Sequence, residues 1–327
     1  MLTALLISLA PFLPSPQAPT TKLEGKALEA AIEELASVVE QHYVFPEPAH
    51  AMAENLRARL WQGAYELPDL DALAARLTSD LRGVQHDLHL SVVRLPPRAV
   101  AEPDPAARRR QAEDDARRSN FGFTKVEILD GNVGYLELRG FLPAEVARDS
   151  AAAAMAFLAN TDALIIDLRA NGGGEPSMIQ LLCGYFFEQP TLLNTFEWRG
   201  RAGREESWSA AEVPGKKRPD LPLFVLTSSD TFSAAEEFAY DLKCLKRATL
   251  IGARTGGGAN PGDSHVIGGV LSVFVPNGRA VNPITGTNWE GTGVEPDVAV
   301  PAGQALERAR AAAREALAAR HAAGSER

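Results

Sequence analysis

Three short runs of this sequence place reactive side chains beside glycines or at the foot of a helix. The first, residues 167–174, reads Asp-Leu-Arg-Ala-Asn-Gly-Gly-Gly. Three glycines where a buried strand meets a helix expose backbone N–H groups and let another segment approach closely, so an anion or oxyanion suits the place. A tight turn needing positive φ gives the same pattern. It is neither a dinucleotide fingerprint, whose Gly-x-Gly-x-x-Gly spacing is missing, nor a phosphate loop, since no Gly-Lys-Ser/Thr follows. The second run, 227–237, is Thr-Ser-Ser-Asp-Thr-Phe-Ser-Ala-Ala-Glu-Glu and passes from an apolar strand into a helix. Ser233 stands where free N–H groups and the positive end of the helix dipole favour developing negative charge, which suits a nucleophile. Ser233 and Glu236 also spell a capping box, a purely structural role. The third run, 282–297, is a glycine-punctuated loop carrying Asn288-Trp289-Glu290.

A serine needs a base. The histidines are His42, His50, His86, His89, His265 and His321, and only His89 falls within an apolar strand pattern, over residues 88–95. His86 and His89, with Asp87 between them, could suggest a metal pair, but a third ligand is not evident, so no metal and no cofactor is expected. Cys183 and Cys244 are the only cysteines and lie in apolar helical patterns, so they read as buried, inert thiols and not as a disulfide or zinc site.

The chain that must position these groups has 327 residues, 45% hydrophobic and 23% charged, with 33 basic against 42 acidic residues and a net charge of −9. This is ordinary globular composition, and it lacks the basic footprint of a nucleic-acid binder. Residues 2–13 are apolar, too short to span a bilayer, and are followed by Pro- and Ser-rich residues up to Ala18. Residues 1–18 therefore read as a signal peptide, and the protein as exported, periplasmic or extracellular, although no Lys or Arg precedes Leu13.

Apolar residues recur at helical spacing in Leu28, Ile32, Leu35, Val39, in Met52, Leu56, Leu60 and in Leu70, Leu73, Leu77, Leu81. Residues 22–95 are thus a helical domain ending in a strand, and 96–119 a proline-rich, charged linker with a short helix. From 120 to 302 strands and helices alternate. Strands are expected at 126–129, 133–138, 163–168, 191–198, 223–227, 248–251 and 270–275, the last pairing with a following strand through Pro276-Asn277-Gly278. Helices are expected at 143–159, 175–187 and 233–245. Residues 303–327 form a terminal Ala- and Arg-rich helix and tail. Alternation of this kind argues an α/β sheet with helices packed on it.

Taken in order, His42-Tyr43-Val44-Phe45-Pro46, Asp87-Leu88-His89-Leu90, the 167–174 run, Thr231 to Glu237, Thr255-Gly256-Gly257-Gly258 and Thr285 to Asp297 resemble the tail-specific, or C-terminal processing, serine peptidase family. The closer resemblance is to its branch with the tricorn core peptidase and the modules of interphotoreceptor retinoid-binding protein. It implies an α/β fold with a Clp/crotonase-like mixed-sheet core behind an N-terminal helical subdomain. The span 96–119 is too short for the PDZ domain usual in the family, so none is expected. It further implies that Ser233 is the nucleophile, His89 the general base and Glu290 the acidic partner. The N–H groups of Ala234 and of Gly172 or Gly173 would form the oxyanion hole. Residues 256–262 contain no Lys, which disfavours the Ser–Lys variant of the mechanism, and Leu88 stands where the tricorn pattern has a Ser before the His. The implied activity is peptide-bond cleavage through an acyl-enzyme on Ser233, acting on a peptide or protein substrate, with no nucleic acid, no membrane span and room for a homo-oligomer. The alternative is a non-catalytic module that binds small apolar ligands or peptide tails in the same cleft.

Overall fold

The computed structural model describes residues 21–96 and 104–325; the signal-like residues 1–18 lie outside them. Three helices open the chain: α1 (Gly25–His42), α2 (Pro46–Trp61) and α3 (Leu70–Val84). Pro46 opens α2 at a position where a missing N–H costs nothing, and the Asp69 carboxylate caps α3 by accepting from Ala72 N–H at 2.8 Å. The apolar stripes read from the sequence are the faces these helices bury against one another.

The strand β1 (Ser91–Arg94) is shorter than the expected 88–95, because Leu88 and His89 lie in a turn. Asp87 makes that turn: its carbonyl accepts from Leu90 N–H at 3.2 Å and its carboxylate from His89 N–H at 3.0 Å. Asp does this readily, and periodicity alone does not register it.

After α4 (Pro105–Arg118) comes the main body, with β2 (Phe123–Leu129), β3 (Val133–Leu138), α5 (Ala144–Phe157), β4 (Ala163–Asp167), α6 (Pro176–Gly184), β5 (Leu192–Trp198), β6 (Glu205–Trp208) and β7 (Leu223–Thr227). Then follow α7 (Ala234–Cys244), β8 (Thr249–Gly252), β9 (Gly262–Ile267), β10 (Leu271–Pro276), β11 (Gly278–Val281), β12 (Val298–Ala299) and α8 (Ala305–Ser325). The central sheet runs β12-β8-β7-β4-β3-β2; all neighbours are parallel except β2, which pairs antiparallel with β3. Both faces of β4 and β7 are covered, which is why they read as unbroken apolar runs. Leu164, Ile166 and Val225 face α5, α6 and α7, while Ile165, Phe224 and Leu226 face the Ala305-Ala309-Ala313 stripe of α8.

Two strands depart from the expected pairing. β10 pairs with β9 and β1, not with β11, and β11 pairs with β5. The hairpin connection is Gly268-Gly269-Val270, whose two glycines take φ +56° and +68°, left-handed values that glycine adopts without strain. Pro276-Asn277-Gly278 instead carries the chain to another sheet, where the N–H groups of Asn277 and Gly278 both bond Pro261 O at 3.0 Å. The β9–β10 hairpin, although inside the 120–302 stretch, buries Ile267, Leu271, Val273 and Val275 in the core of the N-terminal helices. Among the described residues no helix is long and apolar enough to cross a membrane.

Candidate active site

The site lies at the C-terminal ends of β4 and β7, where open α/β sheets commonly place ligands. Two loops leave these ends and are laced together. Thr231 Oγ1 donates to Leu168 O at 2.8 Å, Ser228 Oγ to Arg169 O at 2.5 Å, and Phe232 N–H to Asn171 O at 3.0 Å. Ser233 then enters α7 with φ +55° and ψ −124°, a conformation that L-residues rarely adopt. Such strained strand-to-helix turns lift a side chain clear of the sheet. Ser233 Oγ makes no cap hydrogen bond; it lies 3.0 Å from His89 Nε2. Of the capping box anticipated for this helix, the Glu236 half carries the bond: its Oε2 accepts from Ser233 N–H at 2.9 Å.

Glu236 does more than cap. Fully buried, its carboxylate also accepts from Thr255 Oγ1 at 2.5 Å, Gly257 N–H at 2.7 Å and Gly258 N–H at 2.8 Å. It thereby ties the glycine-rich 255–258 segment to the nucleophile turn. Gly258 has to be glycine: a Cβ there would fall 2.3 Å from the Phe232 ring and 2.7 Å from His89 Cε1.

The turn carrying His89 is clamped from α3, with Arg82 Nε donating to Leu90 O at 2.7 Å and Nη2 to Leu88 O at 2.6 Å. Burial is the first cause lowering the imidazole pKa, Arg82 lowers it further, and the Asp87 charge opposes them. The net direction keeps the ring neutral and Nε2 able to accept a proton. Nδ1 has no hydrogen-bond partner among the described residues; Asp87 Oδ1 is 4.0 Å from it. Asp87 is fully buried, and its Oδ2 accepts from Tyr43 OH at 3.2 Å and Asn260 Nδ2 at 3.0 Å.

Glu290 arrives from the third run. Its Oε2 accepts from Ala259 N–H at 2.6 Å and Asn260 N–H at 3.2 Å, and its Oε1 is buried with no hydrogen-bond partner among the described residues. Burial, reinforced by the Asp87 charge, pushes the carboxyl up to about 8. A carboxylate oxygen of Asp87, a ring nitrogen of His89 and a carboxylate oxygen of Glu290 lie within 4.8 Å of one another, and His86 is not among them. This is the one such donor trio among the described residues. A proton on Glu290 relieves its repulsion with Asp87.

The glycine run abuts the nucleophile: a Cβ on Gly173 would fall 2.7 Å from Ser233 Cβ and 3.0 Å from Ala234 N. Gly173 N–H is committed to Asn171 Oδ1 at 2.9 Å, which removes it as the second oxyanion donor. The N–H groups of Ala234 and Gly172 bond no other group among the described residues. Asp87, two residues before His89, is the alternative acidic partner that the sequence offers; Tyr43 and Asn260, which frame it, carry no such signal.

A family model described as peptidase family S41 matches residues 132–300, more than half of the chain. A second, the N-terminal domain of peptidase S41 in eukaryotic IRBP, matches residues 24–120. A carboxyl-terminal-processing protease of Synechocystis sp. is 32% identical over 126 residues, covering 38% of this chain and 28% of the relative. The tricorn protease of Thermoplasma volcanium is 30% identical over 149 residues, covering 43% of this chain and 13% of the relative. The chain thus spans less than a third of either relative's length. The structure of the photosystem II D1 C-terminal processing protease shares the fold, with a TM-score of 0.52 at 17% identity over 86% of this chain and 94% of that one. On the match of its residues 132–300, the chain belongs to peptidase family S41.

Proposed function

We propose that this protein is a serine peptidase that cleaves peptide bonds through an acyl-enzyme on Ser233. The observation that carries the reading is the 3.0 Å approach of His89 Nε2 to Ser233 Oγ. A serine hydroxyl is a poor nucleophile until a base takes its proton. With the imidazole proton on Nδ1, Nε2 accepts that proton as Oγ attacks the carbonyl carbon, and later returns it to the leaving amine. Asp87 and Glu290 together are the acidic partner of the imidazolium, Glu290 keeping its proton near neutral pH. Ala234 N–H and Gly172 N–H are the donors for the tetrahedral oxyanion. Water hydrolyses the acyl-enzyme with the same base.

A fluorophosphonate probe tests this directly, since only an activated serine reacts. Wild type should label at Ser233 and turn over members of a broad peptide library, and Ser233→Ala should do neither. Folded wild-type protein that neither labels nor cleaves would sink the reading and favour a binding module. Export is part of the same proposal and rests on the apolar residues 2–13. N-terminal sequencing of protein from the exported fraction, expected to begin after Ala18, checks it.

A further inference from the structure

We propose that a cleft beside the His89–Ser233 pair is a subsite for an apolar side chain of the substrate, at a residue flanking the scissile bond. The inference rests on the peptidase reading above. The cleft has a volume of about 340 Å³ and reaches His89 itself. Its apolar walls are Leu88 from the histidine turn, Phe232 from the nucleophile turn, and Val93 and Phe274 from the β1-β10-β9 sheet, and between them lie the hydroxyls of Ser91, Ser264 and Ser272. The Phe232 and Phe274 rings sit 4.7 Å and 5.6 Å from the imidazole, centroid to centroid. Whatever occupies the cleft therefore lies against the base.

The sheet explains why this face is uncharged yet uncovered. Its residues alternate between two sides. Val92, Val273 and Val275 point into the helical core and are buried. On the opposite side Phe274 pairs across to Ser91 and Ser264, and Ser272 to Val93 and Val266. Val93 is 54% exposed and Val266 52%, so this side of the sheet is left open. Apart from His89, no side chain lining the cleft is ionisable. A charged substrate residue would lose water there with nothing to pair with, whereas an apolar one exchanges water for two phenyl rings and a valine. The lining comes from three distant parts of the chain, 88–93, 232 and 264–274, so the subsite exists only when the β9–β10 hairpin is docked on the helical unit.

The experiment is a peptide library varied at both residues flanking the cleaved bond, read by mass spectrometry, with the rate of fluorophosphonate labelling of Ser233 measured alongside. Wild type should favour Leu, Met, Val or Phe over Asp, Glu and Lys at one flanking position. Val93→Asp changes an exposed side chain and leaves the strand's backbone pairing in place. It should lower kcat/KM for the apolar substrates about tenfold or more relative to an alanine substrate, the scale expected of a changed apolar pocket contact. Labelling of Ser233 should persist, which shows that the nucleophile turn is intact. Ser272→Phe, which fills the cleft, should exclude the largest apolar residues and spare alanine. Normal labelling with no apolar preference, or a preference untouched by both variants, overturns the subsite and leaves the nucleophile assignment standing. No labelling of wild type overturns the peptidase reading and the subsite with it.

Discussion

His89 Nε2 lies 3.0 Å from Ser233 Oγ although 144 residues of chain separate them. Neither partner is placed by its own element alone. His89 is held by Asp87 below it and Arg82 behind it; Ser233 by Glu236, whose carboxylate also holds the segment packed on His89. The separation is therefore a property of two docked units, and each unit's anchors can be tested singly.

The strain at Ser233 gives the first test. Its φ of +55° burdens serine and alanine alike, and glycine not at all. Ser233→Ala should lose all activity with stability within about 2 kcal/mol of wild type. Ser233→Gly should be equally inactive but more stable than Ser233→Ala by about 1 kcal/mol, the scale of such backbone strain. Chemical denaturation of the two variants checks this; a less stable glycine variant would show that the turn is not under strain.

The two glycines of the oxyanion region should behave differently. A Cβ on Gly173, where φ is +107°, meets Ser233 Cβ at 2.7 Å and Phe232 O at 2.8 Å, whereas one on Gly172 meets nothing within 4 Å. Gly173→Ala must push the nucleophile turn aside, and labelling of Ser233 should fall on the order of 10²-fold or more, the usual effect of losing an aligned donor. Gly172→Ala should keep the fold and most of the labelling. Equal effects would remove the assigned contact between this loop and Ser233.

Much of this was legible in the residues. β3 and β7 fall on the expected residues because runs buried on both faces carry their signal in every residue. Ser233 was singled out through the ordered motifs of the family resemblance, because a serine heading a helix after a buried strand spells a cap as readily as a nucleophile. The β9–β10 hairpin was not legible, since its Gly268-Gly269 turn lies beside the more conspicuous Pro276-Asn277-Gly278. Nor was the frame of the imidazole: Tyr43 and Asn260 reach Asp87 from positions 44 and 173 residues away, and no local pattern encodes such contacts.

Glu236 should tolerate no neutral replacement. Its two oxygens accept from four donors, and a carboxamide would turn an N–H₂ group toward some of them. Each stranded buried donor costs about 1–3 kcal/mol. Glu236→Gln, nearly isosteric, should therefore lower the melting temperature and slow labelling of Ser233. Full labelling at unchanged stability would reduce Glu236 to an ordinary cap.

Activity should respond to pH on both sides of neutrality. Burial lowers the His89 pKa, so the base stays neutral below the usual imidazole range and kcat/KM should hold into mildly acidic solution. Glu290, pushed up to about 8, is neutral below that pH and charged above it. Its ionisation adds negative charge beside the imidazolium that forms in the transition state, so kcat/KM should rise as pH passes 8. Glu290→Gln should match wild type near pH 7 and lack the rise. Asp87→Asn should cost on the order of 10² or more at every pH, as loss of an orienting carboxylate does. If Glu290→Gln is instead inactive at pH 7, Glu290 is the ionised partner and Asp87 only builds the turn.

A second pair of acids, unconnected with the chemistry, should mark stability. Glu237 and Asp241 lie one turn apart in α7, both buried, and Glu237 Oε1 and Asp241 Oδ2 have no hydrogen-bond partner among the described residues. Burial pushes Glu237 up to about 8 against its ordinary 4.5. Burial and the Glu237 charge raise Asp241, while Asn282 Nδ2, donating at 3.2 Å, opposes them. A raised folded-state pKa stabilises the fold only while the unfolded chain is protonated too. As pH climbs from 4.5 the unfolded chain releases the Glu237 proton and the folded one retains it until about pH 8, so stability falls over that window, and the raised Asp241 adds a fall of the same sign. Other groups titrate in the same window, so the informative quantity is the difference between variant and wild type. Glu237→Gln should gain melting temperature relative to wild type from pH 5 to pH 8, and Glu237→Gln with Asp241→Asn should gain more. A difference that is flat across this range would mean that both carboxyls already ionise near their ordinary values within the folded core.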